Sequence, residues 1–269
     1  MIGHGIGERI DDTADDNSLS QLLLVERHRF AYQQVIPQVK EKRVLEIGCG
    51  TAFGTRLLAE FVDEMVALDT DPRLIAHLAE KPSAHTTYQV YDGLTLPFPS
   101  DSFDAIISFQ VIEHVDDDAA FLEEIKRVLK VDGRAYLTTP NRLIRLLPEQ
   151  RPFNHYHLRE YTPEDVKMLA RRAGFAVRLE GIVGDAATQA LELRRLRIYR
   201  HWLFRNGIQS LPLSLQKFLA RGHQFISHPQ LAQGKQESAQ FSFHRVREAD
   251  EKGINGCIDL WLELAKQPF

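Results

Sequence analysis

Short apolar runs alternate along the chain with longer stretches whose apolar residues recur at helical spacing. Arg43–Ile47 reads as a short buried strand. "EMVALD", "TTYQVYD", "DAIISFQ" and "RAYLTTPN" follow as strands two to five. Between the first two, "TAFGTRLLAEFV" predicts a helix with Phe53, Leu57, Leu58 and Phe61 inward. "DPRLIAHLAE" opens another, with Asp71 as N-cap and Pro72 at its first position. "DAAFLEEIKRVLK" is a third, stopped by "VDG". Ahead of these, residues 18–35 predict a helix on which Leu22, Val25, Phe30 and Ile36 share an apolar side. Beyond them, "YTPEDVKMLARRAGF" carries Thr162 as cap, Pro163 as start and Asp165 completing a box-like pattern. "AVRLEGIV" and 257–264 read as the last two strands.

Strand and helix alternate, and the strands are continuously apolar, as in a parallel sheet covered on both faces. This predicts one α/β domain over 18–269. A stretch at about 185–255 is too long for a turn and reads as a helical insertion. Residues 1–17, glycine-rich and then acidic, read as a mobile arm.

Composition narrows the class. Hydrophobic residues make up 43% of the 269 and charged ones 26%, as in soluble globular chains. A net charge of −4 gives no overall basic field for nucleic acid. Two cysteines, Cys49 and Cys257, offer neither a disulfide framework nor a zinc set, which fits a reducing cytoplasm. The N-terminus lacks the pattern of a signal peptide, and no apolar run approaches the roughly 20 residues of a membrane helix.

Candidate chemistry gathers at the strand ends. In "VLEIGCGTAFG", Glu46 is followed by Gly48 and Gly50. In an open parallel sheet ligands sit beyond the carboxyl ends of strands, and glycine lets backbone approach them closely. Asp69 ends the second strand, where an acid accepts bonds from ribose hydroxyls, and Asp92 ends the third. The dinucleotide pattern G-x-G-x-x-G fails, because Phe53 holds its sixth position. Glu46 would repel a pyrophosphate and suits an ammonium or sulfonium. A nicotinamide-dependent oxidoreductase is therefore the weaker alternative.

With these residues the chain resembles the class I S-adenosylmethionine-dependent methyltransferases of small-molecule type. "VLEIGCGTAFG", "VALDTD", "VYDGLTLPFPSDSFDAIIS", "FQVIEHVDD" and "LKVDGRAYLTTPN" match in order. "NHYHLREYTPED" is similar to sugar-pathway and other small-molecule members. The resemblance implies a Rossmann-like sheet of seven strands, order 3-2-1-4-5-7-6, mostly parallel. It implies that Glu46, Gly48 and Gly50 hold the methionine part of S-adenosyl-L-methionine. Asp69 would bind its ribose, with Thr70 near the adenine. Asp92 would meet the adenine amine, Gly93 a ring nitrogen, and Phe109 and Gln110 would border the sulfonium. The family's third loop glycine is Ala52 here.

Asp101 and Asp104 read as turn residues of "PSDSFD", and Cys49 as a small spacer. His114 follows the fourth strand, and His155 and His157 lie in "NHYHLREY". These three are the candidate general bases, set against the plain reading of structural loop histidines. Glu113, His114, Asn141 and His155 would be the set to converge on magnesium, but no dense carboxylate cluster appears and no metal is assigned. Arg194, Arg195, Arg197, Arg200, Arg205, Lys217 and Arg221 face a single acid, Glu192, in the insertion. That segment is either a solvated flank or a lid over an anionic, sugar-like or lipid-like acceptor. The resulting expectation is methyl transfer to a small molecule, at oxygen, in the cytoplasm. The alternative from another class is a non-catalytic cofactor-binding partner subunit.

Overall fold

The computed structural model describes residues 19–81, 83, 85–148, 150–152, 154, 156–198 and 241–269. Its strands are β1 (Arg43–Ile47), β2 (Glu64–Asp69), β3 (Thr86–Val90), β4 (Phe103–Phe109), β5 (Leu129–Pro140), β6 (Ala176–Gly184), β7 (Phe243–Arg247) and β8 (Asp259–Ala265). They form one sheet in the order β3-β2-β1-β4-β5-β8-β6-β7. Neighbours from β3 to β5 pair in parallel. β8 is antiparallel to both β5 and β6, and β7 is antiparallel to β6.

The expected seven-strand order is present, with an eighth strand added at its edge. β7 falls inside the stretch read as a helical insertion. It pairs on one side only and mixes charged, partly buried and exposed positions, so it shows no apolar run. The last strand starts at Asp259, two residues later than its pattern suggests.

Helix α1 (Leu19–Val39) buries Leu23, Arg27, Ala31, Val35 and Val39 along one side, with Tyr32 beside them. The apolar side expected from Leu22, Val25, Phe30 and Ile36 is only partly buried. The difference has a cause: Arg27 enters the interior because Asp259 and Glu192 neutralise it there, at 2.8 and 3.4 Å. Helix α2 (Phe53–Leu58) has half the expected length, and Phe61 beyond it is 40% exposed rather than inward.

Helices α3 (Pro72–Ala79) and α4 (Asp118–Val128) follow, with α5 (Arg142–Arg145) a single turn after β5. In α3, Asp71 accepts the amides of Arg73 and Leu74, as its capping position demands. In α6 (Pro163–Arg172), Thr162 and Asp165 form a reciprocal capping box. Helices α7 (Ala186–Ile198) and α8 (Glu251–Gly256) complete the described elements. One apolar cluster fills the α4 and α6 face of the sheet, and a second fills the α1 and α2 face. Asp101 occupies a turn with φ 56, but Asp104 lies in β4, paired with Lys130 at 2.8 Å. The arm read at 1–17 and most of the basic segment lie outside the described residues.

Candidate active site

The turn after β1 is left-handed at alternate positions: Gly48 has φ 78, Gly50 φ 51 and Ala52 φ 60. Ala52 thus holds a conformation in which an L side chain costs roughly 1–2 kcal/mol. A glycine there would relax it, which explains why the loop pattern favours one. At Gly48 a Cβ would lie 2.5 Å from Val111 Cγ2, so the loop rests directly on the residue that leads into a 3-10 turn, Ile112–His114. At Gly50 a Cβ would meet nothing within 4 Å, so the backbone faces open space.

Asp69 binds the two neighbouring turns together. Its Oδ2 accepts the Gly50 amide and its Oδ1 the Asp71 amide, both at 3.0 Å. Thr70, next to it, is exposed. Asp92 is exposed as well. Its Oδ1 accepts the amides of Leu94 and Thr95 at 2.8 and 2.7 Å, and these bonds hold its carboxyl below the usual range. Gly93 has φ 82, as this tight turn needs.

Glu46, expected at the methionine part of the cofactor, lies beneath the loop. It is 1% exposed, and both oxygens are engaged by hydroxyls: Tyr32 donates to Oε1 at 2.6 Å and Thr55 to Oε2 at 2.5 Å. Burial pushes its carboxyl up to about 7, although both hydroxyl bonds pull the other way. Glu46 therefore shapes the loop from beneath. Tyr32 and Thr55 were invisible in the sequence as partners, since one lies on an apolar helix side and the other reads as a helix residue. Gly54 is the trace of Tyr32: a Cβ there would overlap the ring, 1.9 Å from Cζ.

Phe109 is buried, packed between Tyr32 and Trp261 with ring centroids 4.8 and 5.5 Å away. Its side chain belongs to the core. Gln110 leaves β4 at φ 56, donates from Nε2 to Thr138 Oγ1 at 3.2 Å and also bonds Asp259.

Beyond Val111, Glu113 and His114 meet His157. One ring nitrogen of each histidine and a carboxylate oxygen of Glu113 lie within 4.8 Å of one another. The loop carrying His157 is docked by its backbone, since the Leu158 amide donates to Glu113 O at 2.9 Å. His114 Nδ1 meets Tyr156 O at 2.9 Å, and His157 Nδ1 meets Glu160 Oε1 at 3.0 Å. A carbonyl and a carboxylate only accept, so both rings carry their proton on Nδ1. Burial raises the Glu160 carboxyl, but Arg145 and His157 outweigh it and leave it lowered. Glu160 was missed in the sequence, though it stands three residues after His157. His155 lies outside the described residues. Asn141 is not part of the cluster. Its Nδ2 donates to the carbonyls of Ile254, Asn255 and Cys257, which pins α8 to β5.

A family model described as "Methyltransferase domain" matches residues 45–137. The match places a methyltransferase domain at residues 45–137 of the chain. A probable S-adenosylmethionine-dependent methyltransferase of Mycobacterium tuberculosis is 35% identical over 149 residues, 55% of this chain and 54% of that protein. A demethylmenaquinone methyltransferase of Tropheryma whipplei is 29% identical over 168 residues, 60% and 67% of the two chains. The chain thus spans about half the length of the first of these relatives. Among solved structures, the [4+2]-cyclase SpnF shares the fold with a TM-score of 0.60 at 16% identity, covering 96% of this chain and 86% of that one.

The methyltransferase cofactor, S-adenosylmethionine, fits what the loop offers. Gly50 leaves backbone open, Asp69 offers two acceptor oxygens at the edge of that opening, and Asp92 stands exposed at the end of the neighbouring strand. The nicotinamide alternative falls away with this assignment. No helix among the described residues is long and apolar enough to cross a membrane.

Proposed function

We propose that the protein transfers a methyl group from S-adenosylmethionine to a hydroxyl of a small-molecule acceptor. The observation that carries this reading is the contact of Gly48 with Val111, which sets the cofactor loop one residue from the turn that bears Glu113 and His114. When bound, the cofactor supplies an already activated methyl group. The chain's own task is then to align an acceptor and ease loss of its proton. The cluster of Glu113, His114 and His157 is the group suited to act on a hydroxyl there. Asp69 holds the ribose and, through Gly50, keeps the loop in shape. A relative named for demethylmenaquinone supports an acceptor with lipid-like character. The arginine-rich stretch that begins within α7 supports an anionic group on it.

Turnover with methyl-labelled cofactor against a panel of hydroxylated metabolites tests the reading. His114→Ala and His157→Ala should each lower turnover on the order of 10²-fold while leaving cofactor affinity close to the parent's. Unchanged turnover in both variants on the true acceptor would remove the cluster from the reaction. Cofactor binding without turnover on any acceptor would favour the partner-subunit alternative.

A further inference from the structure

Two imidazoles and a carboxylate converge beside the cofactor loop, and each is held from behind. His157 is braced by Glu160, and Arg145 donates to the same Glu160 oxygen at 3.1 Å. His114 is braced by the Tyr156 carbonyl. Thr139 Oγ1 donates to Glu113 Oε2 at 3.0 Å. With an acceptor at Nδ1 of both rings, the neutral tautomer places its lone pair on Nε2, the arrangement that metal-ligating histidines usually have. Glu113 and His157 are buried, whereas His114 is partly exposed and leaves one open side.

We propose that Glu113, His114 and His157 bind one divalent first-row metal ion of the zinc class. Three protein ligands with an open position are the pattern of an ion that also takes a small molecule. Two nitrogen ligands favour zinc, cobalt or nickel over magnesium, which prefers oxygen. Three ligands about 2.1 Å from one tetrahedral ion stand roughly 3.4 Å apart, so a separation of up to 4.8 Å closes with side-chain movements on the order of 1 Å. Only the role of the ion rests on the methyl-transfer reading: an acceptor hydroxyl bound at the open position would lose its proton to solvent more readily.

The test uses the full chain, treated with chelator and dialysed, then titrated with Co²⁺ and Zn²⁺. One equivalent of Co²⁺ should give visible d–d absorption bands, which Zn²⁺ displaces. His114→Ala and Glu113→Gln should each weaken Zn²⁺ binding at least tenfold. Glu160→Gln should weaken it about tenfold through the orientation of His157. All three should still bind S-adenosylhomocysteine, which also shows that they fold. If the buried Glu113→Gln change prevents folding, the partly exposed His114 position carries the test. Absence of a cobalt band and of stoichiometric zinc in the parent overturns the proposal. So does equal zinc affinity in the parent, His114→Ala and His157→Ala. A parent that binds zinc but not S-adenosylhomocysteine would uphold the metal site and sink the methyl-transfer reading instead.

Discussion

Asp69 Oδ2 accepts the amide of Gly50 at 3.0 Å, joining the end of β2 to the loop after β1. One carboxylate therefore holds the loop after β1 and, on the proposed function, also meets the ribose. Asp69→Ala removes both roles. It should weaken S-adenosylhomocysteine binding by roughly 10- to 100-fold, equivalent to about 1–3 kcal/mol. Calorimetry giving equal affinities for parent and variant would contradict this assignment.

The Glu46 carboxyl sets a pH dependence of stability. Burial is the largest cause of its rise from an ordinary 4.5 to about 7, with the Asp69 charge adding to it. Between those two values the folded chain keeps a proton that the unfolded chain has lost. Stability is therefore favoured below about 4.5 and falls as pH rises to about 7, by about 3 kcal/mol in all. Glu46→Gln removes the titration while retaining an amide that can bond Tyr32 and Thr55. Urea unfolding at pH 5 and pH 8 should show the variant gaining on the parent at the higher pH. A parent-to-variant difference that does not move with pH would refute this account.

Arg27 sits buried between Asp259 and Glu192 and ties α1 to β8 and α7. Arg27→Ala leaves two acids buried without this cation. It should cost about 3–5 kcal/mol, seen as a lower urea midpoint. Combining Arg27→Met with Asp259→Asn should recover part of that loss, because a neutral amide is easier to bury. A double variant no more stable than Arg27→Met alone would argue against a charge-based role.

Tyr32 and Gly54 form a matched pair. Gly54→Ala drives a methyl into the ring and should destabilise by about 1–3 kcal/mol, while loosening the bond from Tyr32 to Glu46. Tyr32→Ala should cost stability too, through lost packing. The two costs should not add, since removing the ring opens space for the methyl. Additivity within about 0.5 kcal/mol in a double-mutant cycle would show that the pair is not coupled.

The sequence by itself determined the alternation of strands and helices, the caps at Asp71 and Thr162, and the glycine loop with acids at successive strand ends. These are local signals: periodicity, capping chemistry and turn residues are written in neighbouring positions. It could not show β7, a charged edge strand paired on one side, nor the buried side of α1, where Arg27 breaks the hydropathy pattern. Tertiary structure alone decided that Glu46 lies beneath the loop, because its partners Tyr32 and Thr55 come from α1 and α2. It also chose His157 to join Glu113 and His114, through a loop docked on the Glu113 carbonyl. Such convergence depends on distances between segments remote in the chain, and no spacing within the sequence encodes those directly.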